Sequence, residues 1–150
     1  MKKPLIAVPI GDPAGVGPEI VAKSVASGDV FEAADCVIVG DKTIIENAIK
    51  IVGEDLTVHV ISEPEEGDYR KGILNLIDLG NVDMAKFEFG KVNGMCGKAA
   101  YEYIAKCIEL ANKGKVDAVA TTPINKESLR AGGINYIGHT EIFGALTETE

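Results

Sequence analysis

Histidine is scarce in this chain: His59 and His139 are the only two among 150 residues. Cysteine is nearly as rare. Cys36, Cys96 and Cys107 show no CxxC spacing and form no metal-type cluster, so three reduced thiols of a cytosolic protein are expected, with no disulfide framework. No stretch approaches the roughly 18 consecutive apolar residues of a membrane span, so no membrane partner is expected. The apolar run after the basic start breaks at Gly11 and Asp12 without a cleavage-type segment. It reads as a first strand rather than a secretory signal. Positive charge is in deficit, with 15 Lys and Arg against 23 Asp and Glu and a net charge of -8. That balance disfavours nucleic acid as a partner, while leaving room for a local basic pocket that holds a small anion. Internal repeats and low-complexity tracts are also missing.

What is present is ordinary for a globular protein: 46% hydrophobic and 25% charged residues, in a length that suffices for one domain with a real core. Apolar runs LIAVPI (5–10), CVIVG (36–40), LTVHVIS (56–62), ILNLIDLG (73–80) and VDAVAT (116–121) predict strands. Between them lie helical patterns. One opens at Pro18 and stops at Gly28. A second, KTIIENAIKIVG, sets Ile45, Ala48, Ile49 and Val52 on one face and ends at Gly53. A long amphipathic helix starts at Gly97 and turns at Gly114. The segment 81–94 is irregular. His59 lies in a strand on the face opposite Val58 and Val60, and reads as a partly exposed histidine without a role. Strands alternating with helices predict an α/β fold with a mostly parallel sheet and helices on both faces.

Three short stretches carry possible chemistry. GDPAGVGPEI (11–20) joins a strand, a glycine-rich turn and a helix start, an arrangement that favours anions. It departs from the dinucleotide fingerprint: Ile20 stands at the third glycine and Pro18 lacks an N–H, although Asp41 ends the second strand as a ribose-binding acid would. A structural turn and a ligand-facing loop are both open. TTPINKE (121–127) follows the last strand, at the carboxyl end where open α/β sheets bind ligands. Thr121, Thr122, Asn125 and Lys126 would bring two hydroxyls, an amide and an ammonium to one crevice; alternatively Asn125 caps a helix and Lys126 faces solvent. GHTE (138–141) sets His139 beside Thr140, a candidate helix N-cap, so the pair could donate to an anionic oxygen or hold a substrate hydroxyl.

GDPAGVGPEI, VIVGD (37–41) and TTPINKESLRAGGINYIGHTE (121–141), in this order, resemble the 4-hydroxythreonine-4-phosphate dehydrogenase family of vitamin B6 synthesis. Ile137 stands where many members carry proline, a change a turn tolerates. The resemblance implies an isocitrate/isopropylmalate dehydrogenase-like fold of two α/β subdomains, working as a homodimer in the cytoplasm. It implies oxidation of 4-phosphooxy-L-threonine by NAD or NADP to a 3-oxo acid, which decarboxylates to 3-amino-2-oxopropyl phosphate. The family's substrate-binding His-Thr pair falls on His139 and Thr140. A divalent metal (Zn, Mg or Co) is held in the family by three histidines; neither His59 nor His139 matches these, so the ligands are expected beyond residue 150. Lys126 is a weaker candidate for proton transfer. The helix opening near Thr140 reaches Glu150 without a stop signal, so the chain is expected to be the N-terminal portion of a longer, two-subdomain enzyme. A sister branch that oxidises 4-phospho-D-threonate or 4-phospho-D-erythronate is similar in GKVNGMCGKAAYEYIAKCIELA (90–111). A noncatalytic phosphometabolite-binding module and a phosphate acyltransferase are the remaining readings.

Overall fold

A computed structural model describes residues 3–134 and 141–147, and the backbone of 139 and 140. Five strands form one parallel sheet: β1 (Leu5–Pro9), β2 (Asp35–Gly40), β3 (Thr57–Ile61), β4 (Ile73–Asp78) and β5 (Ala118–Val119). Their spatial order is β3-β4-β2-β1-β5. The register pairs Ala7 with Val37 and with Val119, and Ile38 with Leu76. β1, β2 and β4 are flanked on both sides; the apolar runs of β2 and β4 are mostly buried, as central parallel strands require, while Leu5, Ile6 and Val8 of β1 are half-buried. β3 is an edge strand. There His59 is exposed, with Nε2 3.3 Å from the Glu66 carbonyl oxygen, and Val60 is exposed as well.

Helices cover both faces. α1 (Gly17–Ala26) packs on α3 (Lys42–Val52), while α4 (Gly94–Asn112) lies across β1, β2 and β5. α3 follows its sequence pattern closely. Asp41 caps it, accepting the Ile44 N–H at 3.3 Å, and Gly53 ends it at φ 70°. Ile44, Ile45, Ala48 and Ile49 are its buried face. Tyr103 of α4 is fully buried and satisfies its hydroxyl by donating to Asn81 Oδ1 at 2.7 Å.

Several boundaries differ from the sequence reading, and β1, β3 and β4 are each shorter than their apolar runs by one or two residues. Gly28 does not open a simple loop: Ser27 turns extended, and a second short helix, α2 (Gly28–Ala33), follows, held by the Phe31 N–H on the Ser27 carbonyl. α4 begins at Gly94, three residues early, because the Asn93 side chain caps it by accepting the Met95 N–H at 2.8 Å. β5 is reduced to two ladder residues, although the Asp117 and Ala120 amides prolong its bonding to β1. α6 (His139–Thr147) starts one residue before Thr140. Thr140 is therefore inside the first turn and is not the N-cap. α5 (Lys126–Ala131) opens as expected, with Asn125 Oδ1 accepting the Ser128 N–H at 3.0 Å.

Candidate functional site

β1 runs on into α1, on one face of the sheet, whereas β5 runs on into α5, which packs on α4 at the other face. Adjacent parallel strands whose chains leave in opposite directions open a crevice at their carboxyl ends, the usual ligand position in such sheets. The loop GDPAGVG and the loop TTPIN both stand there. Two stretches singled out separately in the sequence are thus brought together by the pairing of β1 with β5.

The contact between these loops is close. The Asp12 amide donates to the Pro123 carbonyl at 3.2 Å, and the Thr122 hydroxyl donates to the Pro9 carbonyl at 2.8 Å. Gly11 has φ 75°, and a Cβ there would collide with the Pro123 carbonyl oxygen and lie 2.6 Å from Thr122 Oγ1. Gly17 meets the Ile10 carbonyl in the same way. Gly15, by contrast, is exposed and has room for a side chain. Gly11 and Gly17 therefore close the loop onto the strand ends, while Gly15 lies on its open side.

Asp12 is 4% exposed. Its Oδ1 accepts the Ala14 N–H at 2.8 Å, an Asx turn that shapes the loop. Burial raises its carboxyl above the ordinary range; the Ala14 N–H and the Ser128 hydroxyl pull it partly back. Nearby Cys96 is pushed up to about 11, first by burial and then by the Asp12 charge. Burial also raises Cys36 and Cys107. All three cysteines are free, and burial disfavours the reactive thiolate at each.

Of the polar residues expected in the crevice, Thr122 and Asn125 are committed to backbone partners. Thr121 and Lys126 are exposed at its mouth. α1 has no side-chain N-cap, and in the loop before it the Asp12, Ala14 and Gly15 amides are taken up by Pro123 and by Asp12 itself. The exposed Lys126 ammonium and Thr121 hydroxyl are what this edge offers a small anionic ligand. The backbone of His139 and Thr140 opens α6, and their side chains lie outside the described residues. Asp12, Asn93 and Ser128 were not singled out in the sequence. The Asp-Pro pair after Gly11 signals an Asx turn, but nothing local announces that the carboxylate is buried.

A cleft of about 420 Å³ lies at the opposite, amino end of the strands, against Lys3, Asp35, Lys115 and Asp117. No strand end of the ligand-binding kind faces it. Asp41 does not fit a ribose: one oxygen caps α3 and the other accepts the Val82 N–H at 3.3 Å. Together with the missing third glycine and Pro18, this leaves no dinucleotide cradle of the fingerprint type here. Nor do the residues fit a metal. Among the described residues, no group of three or more His, Cys, Asp or Glu could hold one.

Known proteins resemble this chain over nearly its whole length. A protein of Fusobacterium nucleatum provisionally named D-threonate 4-phosphate dehydrogenase is 62% identical over 144 residues, 96% of this chain and 43% of the relative. A protein of Clostridium botulinum with the same provisional name is 51% identical over 148 residues, covering 99% of this chain and 44% of that protein. The crystal structure of a 4-hydroxythreonine-4-phosphate dehydrogenase from Burkholderia phymatum superposes with a TM-score of 0.96 at 40% identity, over 100% of this chain and 45% of that one. The chain thus spans less than half the length of these relatives. Residues 32–150 match the family described as pyridoxal phosphate biosynthetic protein PdxA, and the chain belongs to that family.

Proposed function

We propose that the whole protein is a nicotinamide-dependent dehydrogenase of a four-carbon hydroxy acid phosphorylated at its terminal carbon, and that its substrate is 4-phospho-D-threonate. The observation that carries this reading is the 62% identity to the F. nucleatum relative named for that substrate. The crevice supports it chemically. Lys126 supplies a positive point charge just after a strand end, in a protein whose net charge is -8. A local cation in an acidic surface is what a dianionic small molecule needs. His139 and Thr140 orient the substrate by hydrogen bonds, which narrows the geometries from which the hydroxyl carbon reacts.

A second reading is 4-phosphooxy-L-threonine, favoured by the name of the B. phymatum enzyme. The two substrates differ at the second carbon, hydroxyl against amine, and Lys126 addresses only their shared anionic groups. NAD or NADP, a divalent metal, a homodimer and a cytoplasmic location belong to the same proposal. The groups that would contact cofactor and metal are proposed to lie outside residues 1–150. The test is to assay the full-length enzyme on both substrates with NAD and with NADP. Turnover of 4-phospho-D-threonate at a kcat/KM at least tenfold above that of 4-phosphooxy-L-threonine is expected. The reverse preference selects the second reading, and inactivity on both sinks the proposal.

A further inference from the structure

β1 is a central strand, yet its two faces differ. Ala7, on the face that α4 covers, is fully buried, whereas Ile6 and Val8, on the opposite face, are only half-buried. The parallel register sets Ile6 beside Cys36 and Ala118, and Val8 beside Ile38. Cys36 is half-buried as well, and Ala118 is exposed. α1 packs on α3 and reaches β4, so it stands to one side of this face. Between α1, α2 and the β1–β5 end of the sheet it leaves a groove of about 240 Å³. Ile6, Val8, Ile20, Val25 and Ala120 line this groove, and no charged side chain does. Thr121 and Thr122 line it too, so it runs into the crevice.

A parallel sheet buries both of its faces, because apolar side chains left in water cost free energy in proportion to their area. Chain direction explains why this part is bare among the described residues. From β1 to β2 and from β2 to β3 the chain crosses toward the β3 edge, with α1 and α3 on this face. From β4 to β5 it crosses back, and a right-handed connection in that direction puts α4 on the other face. α5 and α6, which follow β5, also pack on α4. No described helix is left for the α1 face over β1 and β5. The outer edge of β5, beside the groove, has no strand partner among the described residues either.

The rest of the polypeptide can supply the cover. The chain spans between 43% and 45% of the length of its relatives, so more than half of such a protein lies outside it. A segment tethered to the same polypeptide acts at a high effective concentration, whereas a second copy would bear the full entropy of association. An uncharged, apolar lining suits the apolar side of a helix and gives no partner to a phosphorylated metabolite. We propose that the groove is the seat of a helix from the part of the full-length protein beyond residue 150, laid over Ile6, Val8, Ile20 and Ala120. The β1–β5 end of the sheet is then completed by the other half of the chain, and that helix meets the crevice at Thr121 and Thr122. None of this depends on which substrate the enzyme takes.

The test uses the full-length enzyme. Ile20→Cys and Ala120→Cys probe the groove; Ile51→Cys on α3 and Val60→Cys on β3, both exposed, are controls. Maleimide labelling is followed site by site by mass spectrometry over a series of protein concentrations. The groove cysteines should label at least tenfold more slowly than both controls at every concentration. A photo-crosslinking side chain in place of Ile20 should join a peptide beyond residue 150, in a product of monomer mass. Labelling at the control rate would mean an open groove and overturn the proposal. Protection lost on dilution, or a cross-link in a product of dimer mass, would overturn it in favour of a second copy. A cross-link within residues 1–150 would overturn it as well. Should the variants fail to fold, hydroxyl-radical footprinting of the wild type decides. Ile20 and Ile51 are 41% and 54% exposed, which gives them similar oxidation rates unless Ile20 is covered. Ile20 should oxidise at least tenfold more slowly, and equal rates would overturn the proposal.

Discussion

The Asp12 amide donates to the Pro123 carbonyl at 3.2 Å, so the first loop of the chain is hydrogen-bonded to the loop after its last strand. The contact exists because β1 and β5 are parallel neighbours, with Ala7 opposite Val119. It leaves no space beside Gly11, whose missing side chain lets the two loops meet.

Gly11→Ala should therefore be strongly destabilising. The φ of 75° is unfavourable for any residue with a Cβ, and that Cβ would press on the Pro123 carbonyl oxygen and on Thr122 Oγ1. Strain and overpacking together should cost about 2–4 kcal/mol in the full-length protein, read from urea unfolding. Gly15→Ala, at an exposed position with room for a methyl group, should change stability by about 0.5 kcal/mol or less. Equal effects at the two positions would refute the packing account.

Stability around Asp12 should depend on pH with a definite sign. Burial raises its folded-state carboxyl above the unfolded value. An acid shifted in that direction costs nothing while protonated in both states. It weakens the fold as pH climbs from the unfolded toward the folded value, and the loss is complete above both. Asn cannot ionise. The melting temperature of Asp12→Asn, minus that of wild type, should be more positive at pH 7 than at pH 4. A difference that stays flat or shrinks with pH would mean that the carboxylate is better stabilised than its neutral partners allow.

Lys126 is exposed at the first position of α5, so Lys126→Ala should leave folding stability within about 0.5 kcal/mol of wild type. Its role at the crevice should show in KM for the phosphorylated substrate, raised about tenfold or more, as expected for loss of a charged hydrogen bond of about 1.5 kcal/mol. Lys126→Arg keeps the charge and should recover part of this. Steady-state kinetics on the three full-length proteins decides; unchanged KM in the alanine variant would place Lys126 in solvent only.

His139→Ala should lower kcat/KM by the equivalent of about 2–4 kcal/mol, with a smaller effect on melting. Thr140 lies within the first turn of α6, one residue past its first position rather than at the N-cap position that the sequence pattern suggested. Thr140→Val should cost only a few tenths of a kcal/mol in stability, about the difference in helix propensity. A substrate contact would still appear as reduced kcat/KM, restored by Thr140→Ser. A stability loss of about 1 kcal/mol in the valine variant would return Thr140 to a capping role.

A polypeptide of residues 1–150 alone should have no NAD(P)-dependent activity on either phosphorylated substrate, with divalent metal supplied. It contains two histidines, and among the described residues no cluster could hold a metal. Spectrophotometric assay of the purified piece checks this, and measurable NADH or NADPH formation would contradict it.

Much of the fold was legible because its signals are local. The α3 helix announces itself through its period and through Gly53 at its stop, within a dozen residues of one another, whereas Asp41 was read only as a strand end and proved to be its cap. Asn125 as the cap of α5 was readable for the same reason. The alternation of apolar runs with helical patterns sufficed for a parallel α/β sheet. Tertiary structure decided the rest. Strand order depends on which apolar faces bury one another, and it alone brought GDPAGVG beside TTPIN. It also gave Asp41 a second partner at Val82, which displaces the ribose reading, and it buried Asp12 against Ser128 and turned an ordinary Asp-Pro turn into the tie between two loops. Such facts lie beyond a sequence read in windows, because hydrogen bonds between residues a hundred positions apart form only after the chain has chosen its neighbours by burial.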